Sequence, residues 1–184
     1  MRKARALKRR DPSAPRKPSG NEASPLATPA GQPLYWIKLE SREAQVTPFN
    51  TIQEDFASLD EWEDRYRYVI ELGHDLEPLG DEAHNDANKV RGCVSQVWLE
   101  KELRRNGAGE TVLHYRGDSD SHLVRGLIAI AIALFSDQTA KRILATDALA
   151  TFRSLGLEQH LTPQRSNGVR SMIDRIRADA TALA

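Results

Sequence analysis

The chain has 184 residues, of which 40% are hydrophobic, enough to build the core of one compact domain. Its single cysteine excludes an internal disulfide, and its longest apolar run, nine residues at positions 127–135, is about half of what a membrane span requires. The formal net charge of zero hides an asymmetry, since residues 1–33 carry about +6 and the remainder about −6. These features indicate a cytoplasmic protein whose folded part is acidic.

The N-terminal segment, residues 1–45, is predicted to be a disordered, basic, proline-rich tail. Six of the nine prolines lie in its first 33 residues, which contain almost no large apolar side chain. Burial there cannot offset the entropy lost on ordering, so the folded domain is expected at residues 46–184. A tail-driven nucleic-acid binder remains an alternative, although the acidic charge of the domain argues against it.

Helical periodicity begins after this segment. Residues 51–59 are predicted to form a short helix. Asp60 with Glu63 resembles the capping box that opens a second helix, which is expected to end near Gly73 and Pro78.

The hydrophobic period then changes from 3.6 to two, which predicts a β-hairpin. Its strands are expected near residues 97–103 and 111–116, and the Asn-Gly-Ala-Gly sequence at 106–109 supplies turn chemistry. The candidate thiol, Cys93, lies just before the first strand.

The rest of the chain is predicted to be helical. Residues 122–135 are apolar on nearly all sides, which indicates a buried central helix. Shorter helices are expected around 140–144 and 148–155, and Thr162 with Pro163 opens a last amphipathic helix. Strands followed by a run of helices indicate an α+β fold, with helices packed on one face of a small antiparallel sheet.

Cys93 is the residue most suited to chemistry. It follows Lys89, Arg91 and Gly92, a context that predicts a mobile, mildly electropositive loop in which a thiolate is favoured. Gly92 permits backbone geometries that present or retract the side chain.

An opposing influence on the thiol comes from the apolar side chains beside it. Val94, Val97 and Trp98 predict a pocket that holds Cys93 back in the free protein and raises its pKa. We expect the thiol to turn outward, about Gly92 as pivot, when a partner docks.

Other chemistries have weaker signals. Histidines are available to a hydrolase, but the G-x-S-x-G elbow is missing. His84 with Asp81, Glu82 and Asp86 is more typical of a solvated loop than of a metal site. We therefore expect no metal or cofactor. Four aromatic residues fall at core periodicities, which favours packing over a platform for bases: Trp62, Tyr66, Tyr68 and Trp98.

Several short segments form a recognisable pattern, in order, between residues 50 and 182. They are residues 52–56, 63–66, 70–73, 90–99, 117–120, 124–127 and 161–168, and the most specific is the G-C-V-S-Q-V-W block at 92–98. Together these segments resemble the SufE/CsdE family of cysteine-desulfurase partners.

The resemblance implies an α+β fold similar to that of iron–sulfur scaffold proteins, with Cys93 at the tip of a loop. It implies that Cys93 accepts sulfane sulfur, as a persulfide, from a pyridoxal-phosphate-dependent cysteine desulfurase. The protein would also stimulate that enzyme and pass the sulfur to an iron–sulfur scaffold or another acceptor. It would therefore be a sulfur-transfer partner rather than a stand-alone enzyme.

Two readings of the resemblance stay open. The scaffold relatives carry further cysteines for cluster ligation, and this chain has none, which favours a carrier without a cofactor of its own. The alternative is a non-catalytic module that activates a desulfurase allosterically, without sulfur transfer through Cys93.

Overall fold

The computed structural model describes residues 46–157 and 159–184, so the predicted tail lies outside the described residues. Six helices and two strands make up the described part of the chain. They are α1 (Phe49–Ser58), α2 (Trp62–His74), β1 (Val97–Arg105), β2 (Thr111–Ser119), α3 (His122–Phe135), α4 (Ala140–Ala145), α5 (Ala148–Ser154) and α6 (Pro163–Thr181), with a short 3₁₀ turn at Asp81–Ala83. The fold is α+β, as the sequence predicts.

Helix α3 lies at the centre of the core, over the span predicted from its all-apolar sequence. It packs directly on the sheet, because a β-carbon on Gly117 of β2 would stand only 2.5 Å from Cγ2 of Ile128. Residues such as Ile128, Ile130 and Phe135 are completely buried. The hairpin therefore packs against one side of α3, and other helices pack against its remaining sides.

Helices α2 and α3 cross at a pair of glycines. A β-carbon on Gly126 would overlap the backbone carbonyl of Val69, and one on Gly73 would stand 2.6 Å from the backbone nitrogen of Gly126. The Arg125 guanidinium fixes the end of α2 as well, since it donates to the carbonyl oxygens of Gly73 and Leu76 at 3.2 and 3.1 Å. This crossing makes α2 and α3 one tightly packed pair.

The sheet has two antiparallel strands, with Val97 opposite Ser119 and Arg105 opposite Thr111. Both strands extend beyond the predicted spans. The second reaches Ser119 because the polar residues after Arg116 still pair with the start of β1. These residues do not continue the alternation of apolar and polar side chains, so the strand predicted from the sequence ended at Arg116, before the true end of β2.

The start of α2 corrects one expectation. The helix begins at Trp62, with Glu61 in extended conformation before it and without a side-chain cap. Glu63 is then the second helical residue and cannot reach back as a capping box requires, so Asp60 plays no capping role. The cap of α6 is confirmed, because Thr162 Oγ1 accepts a hydrogen bond from the backbone nitrogen of Arg165 at 3.4 Å.

The four aromatic residues that fall at core periodicities in the sequence lie at the margin of the core rather than within it. Trp62, Tyr66 and Tyr68 are partly buried and pack against the core. Trp62 stacks on His160 with ring centroids 4.0 Å apart, and Trp98 meets His84 edge-on at 4.6 Å. In the described part of the chain, none of the helices is both long and apolar enough to cross a membrane.

Candidate functional site

The thiol lies on a short loop, residues 91–96, whose ends are held together. The backbone nitrogen of Val90 donates to the carbonyl oxygen of Val97 at 2.9 Å, and the backbone nitrogen of Leu99 donates to the backbone carbonyl oxygen of Asn88 at 2.8 Å. The segment before the loop therefore runs antiparallel to the first residues of β1. This pairing fixes the two stems and leaves the residues between them to form the loop.

The C-terminal stem has a second anchor at Gln96. Its backbone nitrogen donates to Asp120 Oδ1 at 3.0 Å, and its carbonyl oxygen accepts from Ser119 Oγ at 2.6 Å. Both backbone polar groups of Gln96 are thus bound by the residues that connect β2 to α3. The loop cannot shift as a whole without breaking these bonds.

Helix α6 provides the surface on which the loop rests. Gly92 has φ of +92°, a left-handed conformation that favours glycine, and a β-carbon there would stand 2.7 Å from Ser171 Oγ. One turn earlier on the same helix face, a β-carbon on Gly168 would stand 3.4 Å from Cys93 Sγ. Glycine at position 92 therefore lets the loop lie close to the helix, and Gly168 leaves the thiol open space on the helix side.

The same helix holds the segment that leads into the loop. Arg175 donates to the carbonyl oxygen of Ala87 at 3.0 Å and to Asp179 Oδ2 at 3.2 Å. The other oxygen of Asp179, a nearly buried residue, accepts from Lys101 of β1 at 2.6 Å. This ion network connects α6 both to the hairpin and to the N-terminal stem of the loop.

The Cys93 side chain points inward and is half-buried. Its thiol donates a weak hydrogen bond to the carbonyl oxygen of Gly168 at 3.6 Å. Beside it is a cavity of about 30 Å³. Burial raises the pKa of the Cys93 thiol above its usual value, as expected for a retracted cysteine. The residues that line the cavity are Cys93, Val94, Ser95, Val124, Leu127, Gln164, Arg165, Gly168, Val169 and Met172.

The apolar wall of this cavity differs from the predicted one. Of the three predicted neighbours, Val94 lines the cavity but Val97 and Trp98 do not. The rest of the apolar wall comes from α3 and α6, through Val124, Leu127, Val169 and Met172. Val97 is buried in the main core, and Trp98 lies on the opposite side of the strand against His84. The reason is the alternation of a strand, which sends successive side chains to opposite faces.

The electropositive contribution expected from Lys89 and Arg91 does not control the thiol. Arg91 is exposed to solvent, and the net effect on the pKa of Cys93 is upward, through burial. The expectation of an exposed thiolate is therefore wrong for this conformation. In this conformation the thiol is instead half-buried, and burial raises its pKa.

The histidines do not form a hydrolase site in the described part of the chain. His114 lies near both Ser136 and Asp137, but its Nδ1 is the atom that meets both, at 3.3 and 2.9 Å. A catalytic relay needs the two partners on different ring nitrogens. Nor do the described residues contain a cluster of three or more His, Cys, Asp or Glu that could hold a metal ion.

Three residues of the site received no role at the thiol loop from sequence reasoning: Gly168, Ser119 and Asp120. Gly168 had a usable signal, because a glycine inside an amphipathic helix costs about 1 kcal/mol relative to alanine and needs a packing reason. Ser119 and Asp120 precede α3 and look like ordinary helix caps. Their contact with Gln96 depends on the hairpin register, which sequence does not reveal.

Comparison with known proteins gives a consistent result. A family model described as "SufE: Fe-S metabolism associated domain" matches residues 50–180. A protein of Rhizobium meliloti, named an uncharacterised SufE-like protein, is 50% identical over 135 residues, covering 73% of this chain and 96% of that protein. A second SufE-like protein, from Rhizobium etli, is 45% identical over 157 residues, covering 85% of this chain and 98% of that protein.

Proposed function

Because this chain belongs to the SufE family, whose domain is associated with iron–sulfur metabolism, we propose that it is a sulfur acceptor and carrier. Cys93 takes sulfane sulfur as a persulfide from a pyridoxal-phosphate-dependent cysteine desulfurase. The protein stimulates that enzyme and passes the sulfur on for iron–sulfur cluster assembly. The observation that carries the proposal is the position of Cys93 Sγ beside a small, mostly apolar cavity.

The chemistry of the transfer needs one cysteine and no cofactor from this chain. The Cys93 thiolate attacks the outer sulfur of the enzyme persulfide, a new S–S bond forms at Cys93, and the enzyme cysteine leaves as a thiolate. Sulfane sulfur moves from one thiol to the other, so the reaction consumes no external oxidant or reductant. The proton of the Cys93 thiol must be lost before the attack.

The size of the cavity supports a persulfide as the stored species. A cavity holds a water molecule once it offers about 10–15 Å³, so about 30 Å³ leaves room for one additional sulfur atom but not for a long polysulfide. Apolar walls from α3 and α6 keep water and small thiols away from the S–S bond. A stored sulfur atom would thus survive until a suitable acceptor docks.

The raised pKa of Cys93 supports a gated mechanism. A thiol that stays protonated in its retracted position is a poor nucleophile. Docking of the desulfurase would favour the conformer in which the loop turns Cys93 outward, where the thiolate forms more readily. Affinity for the partner and reactivity of the thiol are then linked through one equilibrium.

The direct test is the intact mass of the protein after incubation with a cysteine desulfurase and cysteine. We expect Cys93 to gain one sulfur atom, and Cys93→Ser to fold normally but gain none, since a hydroxyl cannot hold sulfane sulfur. Desulfurase turnover is measured in parallel. If Cys93→Ser stimulates the enzyme as well as the native chain does, the protein is an allosteric activator and the carrier function is wrong.

A further inference from the structure

Val94 has an unusual position for an apolar residue. Its side chain is 81% exposed, more than that of any other large hydrophobic residue in the described part of the chain. It directly follows Cys93 and lies at the mouth of the same cavity. An exposed valine next to an apolar cavity leaves hydrophobic surface in water at the place where the cavity could bury it.

Cys93 and Val94 have opposite relations to this cavity. The thiol of Cys93 is turned toward Gly168 on α6, whereas the isopropyl group of Val94 is turned to solvent. When Cys93 turns outward, the space beside Val124, Leu127 and Met172 loses its occupant. An empty apolar cavity is unfavourable, because its lining loses van der Waals contacts.

The loop is built so that residues 92–95 can rearrange while its ends stay in place. The stems are fixed by the bonds of Val90 and Gln96, and Gly92 at φ +92° can change backbone conformation at low cost. Among the described residues, the thiol of Cys93 has Gly168 as its hydrogen-bond partner, at the long distance of 3.6 Å. Little therefore opposes a rotation that exchanges two adjacent side chains.

We propose that Val94 exchanges places with Cys93 when the loop opens, so that the valine side chain fills the cavity as the thiol becomes exposed. Burial of the isopropyl group offsets the loss of the contacts that Cys93 makes in the closed loop. Val94 is thus a positioning residue that sets the population of the reactive conformer. The inference rests on the proposed function only for the use of that conformer, because the exchange itself takes place in the isolated protein.

The test is the alkylation rate of Cys93 by iodoacetamide in the isolated protein, without a desulfurase. Val94→Thr keeps the shape of the side chain but adds a hydroxyl that the apolar cavity cannot satisfy. We expect alkylation to slow about tenfold, equivalent to about 1.4 kcal/mol against the open conformer. The thermal midpoint should stay unchanged, because position 94 is exposed in the closed loop.

Leu103→Thr is the matched control. Leu103 is also an exposed large hydrophobic residue, 53% accessible, but it lies on β1 away from the loop. Its substitution should leave alkylation as in the native chain. Equal alkylation rates for Val94→Thr and the native chain would overturn the exchange. Weaker binding to a desulfurase with no change in alkylation would likewise overturn it and make Val94 a docking contact.

A structural measurement tests the exchange independently. A carboxamidomethyl group on Cys93 carries an amide that the mostly apolar cavity cannot satisfy with hydrogen bonds, so it should hold the loop open. In NMR spectra, we expect the paramagnetic relaxation enhancement of the Val94 methyl groups by a soluble agent to fall strongly after alkylation. We also expect nuclear Overhauser effects between these methyl groups and Met172 and Leu127. Val94 methyls that remain as accessible as before would contradict the exchange. Neither measurement involves transfer of sulfane sulfur or a desulfurase, so failure of the exchange is distinguishable from failure of the carrier function.

Discussion

Gly168 and Cys93 meet across 75 positions of sequence, with the thiol donating to the glycine carbonyl oxygen at 3.6 Å. A β-carbon at position 168 would stand 3.4 Å from Sγ, which is van der Waals contact, so a side chain there would border the thiol directly. The packing of α6 therefore determines the space that is available to Cys93. Substitutions at this contact separate storage of sulfur from stability of the fold.

Gly168→Ala should store sulfur less well without harming the fold. The added methyl group makes an ordinary contact with the thiol but occupies part of the space that a second sulfur atom needs. Alanine in place of glycine also favours the helix by about 0.5–1 kcal/mol. We expect an equal or higher thermal midpoint and a several-fold faster loss of the Cys93 persulfide to added dithiothreitol, followed by intact mass. A persulfide as long-lived as in the native chain would contradict storage in the cavity.

The raised pKa of Cys93 predicts a pH effect on stability. Folding raises the pKa, so the native state keeps a proton that the unfolded chain loses above about pH 8.5. The stabilising contribution is full below that pH and is lost as the pH rises through the higher pKa of the folded state. Relative to Cys93→Ser, the native chain should lose more stability above about pH 8.5 in denaturant unfolding.

The pH dependence of the alkylation rate is a second measure of the raised pKa of the Cys93 thiol. The rate should reach half its maximum at a higher pH in the native protein than in the urea-unfolded chain. A midpoint at or below that of the unfolded chain would mean that the thiol is already exposed and activated in the isolated protein.

Ser119→Ala should loosen the loop from its C-terminal stem. The substitution removes the hydrogen bond from Ser119 Oγ to the carbonyl oxygen of Gln96 and leaves that acceptor with one partner fewer. We expect a loss of about 1 kcal/mol in stability and a several-fold faster alkylation of Cys93. Ser154→Ala is the control, since Ser154 also donates to a backbone carbonyl, that of Thr151, but far from the loop. If both variants alkylate alike, the anchor does not restrain the thiol.

Gly126→Ala should be strongly destabilising. Its β-carbon would overlap the carbonyl oxygen of Val69 where α2 crosses α3, so the two helices must move apart. Such overpacking costs about 1–3 kcal/mol or more, measurable by urea unfolding. Gly107→Ala is the matched control, because a β-carbon there meets nothing within 4 Å. Equal stability of the two variants would show that the crossing is looser than described.

Deletion of residues 1–33 should change neither the thermal midpoint nor sulfur acceptance by more than a small amount. The segment has almost no residue able to join a core, and its charge is opposite to that of the remainder. Differential scanning calorimetry and intact mass measure the two effects. A large fall in either would mean that the segment is part of the folded domain.

Local patterns predicted much of this fold, and distant contacts account for what they missed. The apolar run of α3 and the Thr162 cap of α6 depend on neighbouring residues, and both were predicted correctly. The cavity wall around Cys93 was predicted only in part, through Val94, because Leu127 and Met172 come from helices that follow the loop by many positions. Cys93 stays a prediction from sequence as the reactive residue, and its contact with Gly168 requires the tertiary structure.

The late position of α6 in the chain has a consequence during biosynthesis. Cys93 leaves the ribosome well before the helix at Pro163–Thr181 that completes its cavity. Until that helix docks, the cavity lacks the wall that α6 provides, and the thiol is open to oxidants. Contacts of such long sequence separation also form late in folding. The nascent chain thus passes through a period in which its single thiol is more open to oxidation than it is in the folded protein.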